Sequence, residues 1–147
     1  MAYKSKYKPK NPQKYVGNPN NIICRSLWER TFCKYLDENV NIIRWSSEEL
    51  QIPYVSPVDN QIHMYYPDFL FEMKKEKEIE TVVVEIKPEK QTKQPIRGNK
   101  SNKTFLTESI QYEINKSKWQ FAKNYCDKNG WKFMILTENN LFRGNNK

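Results

Sequence analysis

Residues 65–90 read YYPDFLFEMKKEKEIETVVVEIKPEK and carry the strongest structural signal in the chain. Two apolar runs flank the charged segment KKEKEIE, a pattern typical of two strands joined by a hairpin loop. The first run predicts a strand over His63–Met73, and the second predicts a strand over Thr81–Lys87 that is buried on both faces. Acidic residues and a lysine stand on these otherwise apolar runs, so the stretch indicates a functional site on adjacent strands.

The segments around this hairpin predict an α/β domain. The pattern SLWE from Ser26 begins a capping box, and apolar residues at helical spacing follow it, so we expect a helix over 26–39. The other expected elements are strands at Ile42–Trp45 and Gln51–Val55, a helix at Thr104–Asn129 with a break near Asn115, and a closing strand in WKFMIL. The order α-β-β-β-α-β predicts a mixed β-sheet flanked by helices.

Length and composition predict one folded domain with charged flanks. The chain has 147 residues, of which 37% are hydrophobic and 14% aromatic, enough for one core and too few for two. We divide it into a basic N-terminal arm at 1–20, the main domain at 21–138 and a C-terminal tail at 139–147. No apolar run reaches membrane-spanning length.

The formal net charge of +8 is concentrated in two basic segments. Such charge favours a polyanion, because phosphate contacts release condensed counterions. The candidate nucleic-acid contacts are Lys4, Lys6, Lys8, Lys10, Lys14, Lys90, Lys93, Arg97, Lys100, Lys103 and Lys118. Tyr3, Tyr7 and Tyr15 lie between the N-terminal lysines, where their rings would stack on unpaired bases. A solvated surface, or an arm that docks on a capsid, is an equally open interpretation.

Cysteine and histidine usage argues against a structural zinc site. The chain has 3 cysteines, without a C-x-x-C pair, and one histidine. Each cysteine lies beside apolar residues, so we expect buried, reduced thiols and a reducing compartment. The histidine, His63, is interpreted as a strand residue.

Asp68, Glu85 and Lys87 form the candidate catalytic centre. Residues two apart in a strand share a face, so Glu85 and Lys87 point the same way, while Asp68 lies on the preceding strand. Two converging carboxylates repel unless a cation separates them, and Mg²⁺ suits that gap. The backbone carbonyl of Ile86 would add an oxygen ligand, and Glu29 on the first helix is a further candidate.

Each of these residues also has a purely structural interpretation. Glu85 and Lys87 would form an exposed ion pair, and Asp68 after Pro67 would begin a turn. Glu29 occupies position N3 of the capping box, where a glutamate stabilises the helix start. Glu72 shares a face with Asp68 and is either an additional ligand or a decoy.

The motif residues resemble the PD-(D/E)-x-K nuclease superfamily. Pro67-Asp68 matches its first element and Glu85-Ile86-Lys87 its second, and the element order is similar to its restriction-endonuclease-like core. A closer resemblance, to the head completion nucleases of contractile-tailed phages, covers nearly the whole chain. It is carried by the segments MAYKSKYKPKNPQKYVGNP, RSLWE, WSSE…IPY, VEIKPEKQT, INKSKW and GWKFMILTE. The amino-terminal domain of transposon end-cutting endonucleases is a more distant relative.

This resemblance implies a site and a setting. It implies Glu29, Asp68, Glu85 and Lys87 as the catalytic set, with the three acids binding Mg²⁺ or Mn²⁺. Asn115 stands where the family pattern Q-x-x-x-Y has its tyrosine, which argues against a helper role for Gln111. It also implies action late in capsid maturation, on packaged DNA or its end, at the portal vertex before tail attachment.

The leading hypothesis is therefore a metal-dependent DNA endonuclease or end-trimming nuclease of phage head completion. Its expected partners are double-stranded DNA or DNA ends and the portal or neck proteins of a phage head, with no membrane. The expected location is the host cytoplasm during assembly, with retention in the virion at the head vertex. The alternative is a non-catalytic DNA-binding plug or connector of the portal vertex. A generic RNA-binding module is the weakest interpretation, because no aromatic sheet signature is present.

Overall fold

The computed structural model describes residues 4–143, with side chains described through Leu141. In chain order the elements are β1 (Ser5–Tyr7), β2 (Ile22–Cys24), α1 (Leu27–Glu38), β3 (Ile42–Ser47), β4 (Ile52–Val55), β5 (Ile62–Tyr65), β6 (Phe69–Lys75), β7 (Glu78–Ile86), α2 (Asn102–Asn129) and β8 (Lys132–Leu136). Short 3₁₀ turns lie at Pro12–Lys14 and Glu89–Thr92, and a π-helical turn at Asn139–Arg143.

A four-stranded mixed sheet in the order β3-β6-β7-β8 forms the centre of the molecule. The first three strands pair antiparallel, and β8 returns through α2 to pair parallel with β7. Val82, Val83 and Val84 are all buried, which confirms the predicted burial of β7 on both faces. The predicted mixed α/β architecture is therefore confirmed.

The two faces of the sheet carry different hydrophobic clusters. Val82 and Val84 pack in a cluster with Phe32 and Leu36 of α1 and with Trp45 of β3. A second cluster joins the β4–β5 hairpin to α2, with Tyr54 and Tyr65 beside Ala122 and Phe133. Because strand residues alternate between faces, Glu85 and Lys87 point away from the α1 face and towards α2.

The predicted strand over His63–Met73 is wrong as a single element. The structure divides it into β5, which pairs with β4 in a separate two-stranded sheet, and β6, which pairs with β3 in the central sheet. Pro67 lies between them and has no N–H to donate to a ladder. Asp68 follows, and its carbonyl accepts a hydrogen bond from the N–H of Glu48 at 3.1 Å. The division places Asp68 directly before the first residue of β6, an inner strand of the central sheet.

Both predicted helices form, and the predicted break near Asn115 is wrong. The Ser26 hydroxyl caps α1 by accepting from the N–H of Glu29 at 3.1 Å. Helix α2 is continuous over its 28 residues, is capped by Ser101 and ends at Gly130 with φ 72°. Asn115 does not interrupt it, because its side-chain oxygen accepts from Gln111 at 3.0 Å rather than competing for the backbone.

The N-terminal segment packs onto the domain from β1 onwards. Strand β1 pairs antiparallel with β2, and Tyr7 and Tyr15 are buried with their rings edge-on to Trp45. The prediction that Tyr7 and Tyr15 stack on unpaired bases is therefore wrong, because core packing occupies both rings. Tyr3 lies outside the described residues, and the boundary of the predicted arm at residue 20 stays a prediction.

Asp37 anchors this segment to α1. Its buried carboxylate accepts hydrogen bonds from the Tyr7 hydroxyl at 2.7 Å and from the N–H groups of Lys10 at 2.7 Å and Asn11 at 3.0 Å. The ammonium of Lys14 donates to the carbonyls of Leu36, Asp37 and Asn39, each at 2.9 Å. Lys14 therefore caps the carboxyl end of α1, where a cation is favoured.

All three cysteines have free thiols. Cys24, Cys33 and Cys126 are buried, as predicted, and the Sγ atoms of Cys24 and Cys33 lie 3.5 Å apart.

None of the described helices is both long enough and apolar enough to cross a membrane.

Candidate active site

The carboxyl end of β7 presents Glu85 and Lys87 on the same face. Glu85 is buried, and the Lys87 ammonium lies 3.6 Å from its Oε2 atom. The Tyr65 hydroxyl donates to Glu85 Oε1 at 2.5 Å, so both carboxylate oxygens have partners. These contacts fix the orientation of Glu85 before any ligand arrives.

Asp68 lies beside this pair because the two strands that carry them are neighbours. Its Oδ2 atom accepts the N–H of Ile86 at 2.7 Å, which ties the start of β6 to the end of β7. Burial raises the pKa of Asp68 well above its usual value, and the negative charges of Glu85 and then of Glu29 raise it further. The two strands therefore bring Asp68 and Glu85 near enough for their charges to interact, and their role as paired metal ligands stays a prediction.

Glu29 reaches the same place from the first turn of α1. Its Oε1 atom accepts the N–H of Arg25 at 3.1 Å, one residue before the N-cap Ser26 that a capping box would use. Glu29 therefore stabilises the helix start, through a different donor. Burial raises the pKa of Glu29, and the charges of Glu48 and Glu85 add to that rise. The Glu29 side chain thus stabilises the helix start and also lies near other acids of the site.

Sequence reasoning missed Glu48. Oxygen atoms of Glu29, Glu48 and Asp68 all lie within 4.8 Å of one another. Glu48 follows the last residue of β3. Its backbone φ angle is 58°, in the left-handed region that residues other than glycine rarely adopt. Its carboxylate also accepts from the Arg25 guanidinium at 2.9 and 3.1 Å. This backbone conformation brings the Glu48 carboxylate to those of Glu29 and Asp68, and these three acids form the acidic group. Glu85 lies beside the group and is not one of its three members.

The chemistry of this group fits a hard divalent cation. Its donors are carboxylate oxygens, which such ions prefer. Burial is the first cause that raises the pKa values of Glu29, Asp68 and Glu85, and repulsion from neighbouring acids raises the first two further. A bound cation would offset both effects. The predicted ligand role of the Ile86 carbonyl stays a prediction.

Lys118 belongs to the site as well as to the predicted basic surface. Its ammonium lies 5.8 Å from the centre of the Tyr54 ring and 5.7 Å from that of Tyr65, within the range of cation–π contacts. Burial lowers the pKa of Lys118, while the charge of Glu85 opposes that shift. Helix α2 therefore supplies a second ammonium to the Glu85 side of the site.

The remaining predicted residues lie elsewhere or keep other partners. Glu72 pairs with Arg44 of β3 at 2.9 Å, so the structure gives it a partner outside the acidic group. His63 contacts Asp59 at 2.9 Å. Four predicted DNA contacts take part in salt bridges or helix capping, namely Lys10, Lys14, Lys93 and Lys100. Within the described residues no salt bridge engages Lys4, Lys6, Lys8, Lys90, Arg97 or Lys103.

Comparisons with known proteins show the family of the chain. A family model described as TnsA-like endonuclease N terminal matches residues 39–138. The chain belongs to this endonuclease family. It is also 37% identical over 145 residues to the head completion nuclease of Enterobacteria phage T4, in an alignment that covers 96% of this chain and 95% of that protein. The predicted membership of the PD-(D/E)-x-K superfamily is confirmed. The family match contains Asp68, Glu85 and Lys87, and Glu29 precedes it.

Glu48 and Glu49 offer a matched pair of substitutions for this endonuclease-family site. Glu48→Gln removes one charge from the acidic group, and we expect it to lower the rate of DNA cleavage about tenfold. Glu49→Gln alters an exposed side chain next to it and should leave the rate unchanged. Initial rates on one linear duplex measure both variants. Equal rates for the two would remove Glu48 from the site.

Proposed function

We propose that this protein is a Mg²⁺-dependent DNA endonuclease that acts in phage head completion. The observation that carries the proposal is the convergence of Glu29, Glu48 and Asp68, with Glu85 and Lys87 beside them. Four acids close to the start of the basic loop that follows Lys87 weaken DNA binding unless a cation lies among them, because carboxylates repel phosphate. Catalysis explains this arrangement better than binding alone.

Each residue has a separate role in the proposed reaction. Asp68, Glu29 and Glu48 would hold the cation. The buried carboxylate of Glu85 lies beside them and would add negative charge to the site. When bound, such a cation polarises a phosphoryl oxygen and lowers the pKa of water. Lys87, held by Glu85, lies where it can orient the attacking water or offset negative charge on the phosphoryl group. Tyr65 keeps the Glu85 carboxylate in place.

The head-completion setting rests on the resemblance over nearly the whole chain. The T4 relative is named a head completion nuclease, and its alignment with this chain is almost complete from end to end. We propose packaged DNA or its ends as substrate, portal or neck proteins as partners, and action in the host cytoplasm with retention at the head vertex. A non-catalytic plug at the same vertex is the alternative.

Lys87→Ala separates these two functions. We expect this variant to lose cleavage of linear and supercoiled DNA, and to fail to complete heads when it replaces the parent protein in infected cells. Lys77→Ala, in the exposed hairpin between β6 and β7, is the control and should behave as the parent does. If Lys87→Ala abolishes cleavage yet completes heads as well as the parent, the plug function is correct.

The apparent affinity for Mg²⁺ should fall as the pH falls. In the absence of a cation the pKa values of Glu29, Asp68 and Glu85 are raised, so protons compete with the metal at lower pH. We expect the Mg²⁺ concentration for half-maximal cleavage to rise as the pH is lowered from alkaline values towards the ordinary range of carboxyl pKa values. A concentration that stays constant over this range would show that these acids do not take up protons in competition with the metal.

DNA binding should depend steeply on salt concentration. Cations that contact phosphate release counterions, so the logarithm of the binding constant falls linearly with the logarithm of the salt concentration. Fluorescence anisotropy on a labelled duplex measures the slope. Replacing both Arg97 and Lys103 by alanine should reduce it by about two. A flat response for the parent protein would indicate that the basic segments contact proteins instead.

A further inference from the structure

A cavity lies between the basic loop that follows β7 and the first half of α2. It measures about 520 Å³, within the range of roughly 300–1,000 Å³ typical of small-ligand sites. The loop contributes Lys90, Gln91 and Gln94, and the helix contributes Gln111, Tyr112 and Asn115. The rest of the lining includes two more lysines and one acid, Glu108, which pairs with Lys100 at 2.6 Å. Amides, lysines and an aromatic ring thus surround a space of the size that a nucleotide needs.

The loop and the helix that line the cavity are both continuous with residues of the site. The loop begins directly after Lys87, and Asn115 precedes Lys118 by one turn of α2, a rise of about 4.5 Å. The Lys118 ammonium in turn acts on Glu85 and Lys87. A DNA strand with one phosphodiester at the acids would therefore bring an adjacent nucleotide to the mouth of the cavity.

Asn115 supplies the observation that points to a ligand. Its side chain is only 4% exposed, and its oxygen accepts from Gln111 Nε2 at 3.0 Å. In the described part of the chain its amide nitrogen donates no hydrogen bond and is not enclosed by protein, so it is accessible from the cavity that Asn115 lines. In either orientation of the two amides, the pair leaves one donor and one acceptor for a ligand. The hydrogen-bonding edge of a nucleobase offers the same combination.

The other lining residues match the rest of a nucleotide. Lys90 has no salt bridge within residues 4–143 and is available to a phosphate. The half-buried ring of Tyr112 offers a stacking surface, and stacking is the main way that proteins hold unpaired bases. A base inside a duplex presents neither its face nor its pairing edge, so the occupant has to be unpaired.

We propose that this cavity binds a single unpaired nucleotide of the DNA strand adjacent to the phosphodiester at the acidic group. Asn115 and Gln111 bind the base edge, Tyr112 stacks on the base, and Lys90 binds its phosphate. The inference rests on the proposed nuclease function and deepens it. It makes the site selective for DNA with a single-stranded end or flap over continuous duplex.

Binding measured in EDTA tests the cavity without cleavage. The probe is a duplex with a short single-stranded overhang that carries 2-aminopurine, compared with a blunt duplex of the same sequence. We expect Asn115→Leu, Gln111→Leu and Lys90→Ala each to weaken binding of the overhang probe about tenfold, with blunt-duplex binding unchanged. The parent protein should change the 2-aminopurine fluorescence, and the variants should not. Lys123→Ala, on the exposed side of α2, is the control.

Two results would overturn the cavity assignment. One is equal loss of affinity for both probes, and the other is fluorescence and affinity that no variant alters. If Asn115→Leu fails to fold, the exposed Gln111→Leu and Lys90→Ala decide the outcome. A selective loss in EDTA, found for a protein that cleaves no DNA with Mg²⁺, would retain the cavity and reject the nuclease function.

Discussion

Asp68→Asn is expected to lower the rate of DNA cleavage by about 10²–10³-fold or more. Asparagine has the shape of aspartate, and its oxygen can still accept the Ile86 N–H that Asp68 binds at 2.7 Å. The substitution therefore removes the charge that would hold the cation and leaves the link between β6 and β7 intact. Single-turnover cleavage of a linear duplex with saturating Mg²⁺ measures the effect.

The same substitution should leave the protein folded and slightly more stable. Asp68, Glu29 and Glu85 repel one another in the metal-free protein, so neutralising one of them relieves that repulsion. Thermal unfolding in EDTA checks this expectation. Glu72→Gln is the matched control, since Glu72 is an acid of β6 that pairs with Arg44 instead. Cleavage by Asp68→Asn at the parental rate would contradict the assignment of Asp68.

Asp37→Ala should destabilise the protein by roughly 3 kcal/mol. The substitution leaves the Tyr7 hydroxyl and the N–H groups of Lys10 and Asn11 without the carboxylate that accepts from them. It also detaches the N-terminal segment, whose tyrosines pack in the main core. Urea unfolding measures the loss. Glu38→Ala, at the next and exposed position, should cost less than about 1 kcal/mol.

The destabilisation caused by Asp37→Ala should become smaller in acid. Burial opposes ionisation of Asp37, but the donors from Lys10, Tyr7 and Asn11 outweigh it and lower its pKa below the usual value. A group with a lowered folded-state pKa stabilises above its unfolded pKa, about 3.9 for aspartate, and that stability is lost as the pH falls through the folded value. Equal destabilisation at neutral and strongly acidic pH would contradict a charged Asp37.

Local sequence pattern was enough to predict the central hairpin and three of its charged residues. Strand β7 is apolar enough to be identified alone, and the spacing of Glu85 and Lys87 fixes their common face. The position of Asp68 beside them was also predictable, because one short hairpin joins its segment to β7. The capping pattern likewise fixed the helix that carries Glu29, since its signal is confined to a few consecutive residues.

Glu48 was not predictable, because its position depends on a long-range register. In the sequence Glu48 and Glu49 are equivalent polar residues after a short strand. The pairing of Ser47 with Phe69 places the next residue, Glu48, beside Asp68, and no local pattern contains that register. The burial of Tyr7 and Tyr15 was missed for the same reason, since it requires β1 to pair with β2 and Trp45 to lie beneath both rings.

The Mg²⁺ dependence of DNA cleavage by the unaltered protein shows most directly whether the acidic site needs a cation. The protein is stripped of metal, mixed with a linear duplex, and titrated with Mg²⁺ while products are followed on a gel. A cation-dependent nuclease gives no products in EDTA and a rate that rises with Mg²⁺ to a plateau. Equal cleavage in EDTA and in Mg²⁺, or no cleavage at any Mg²⁺ concentration, would contradict a cation-dependent site formed by Glu29, Glu48, Asp68 and Glu85.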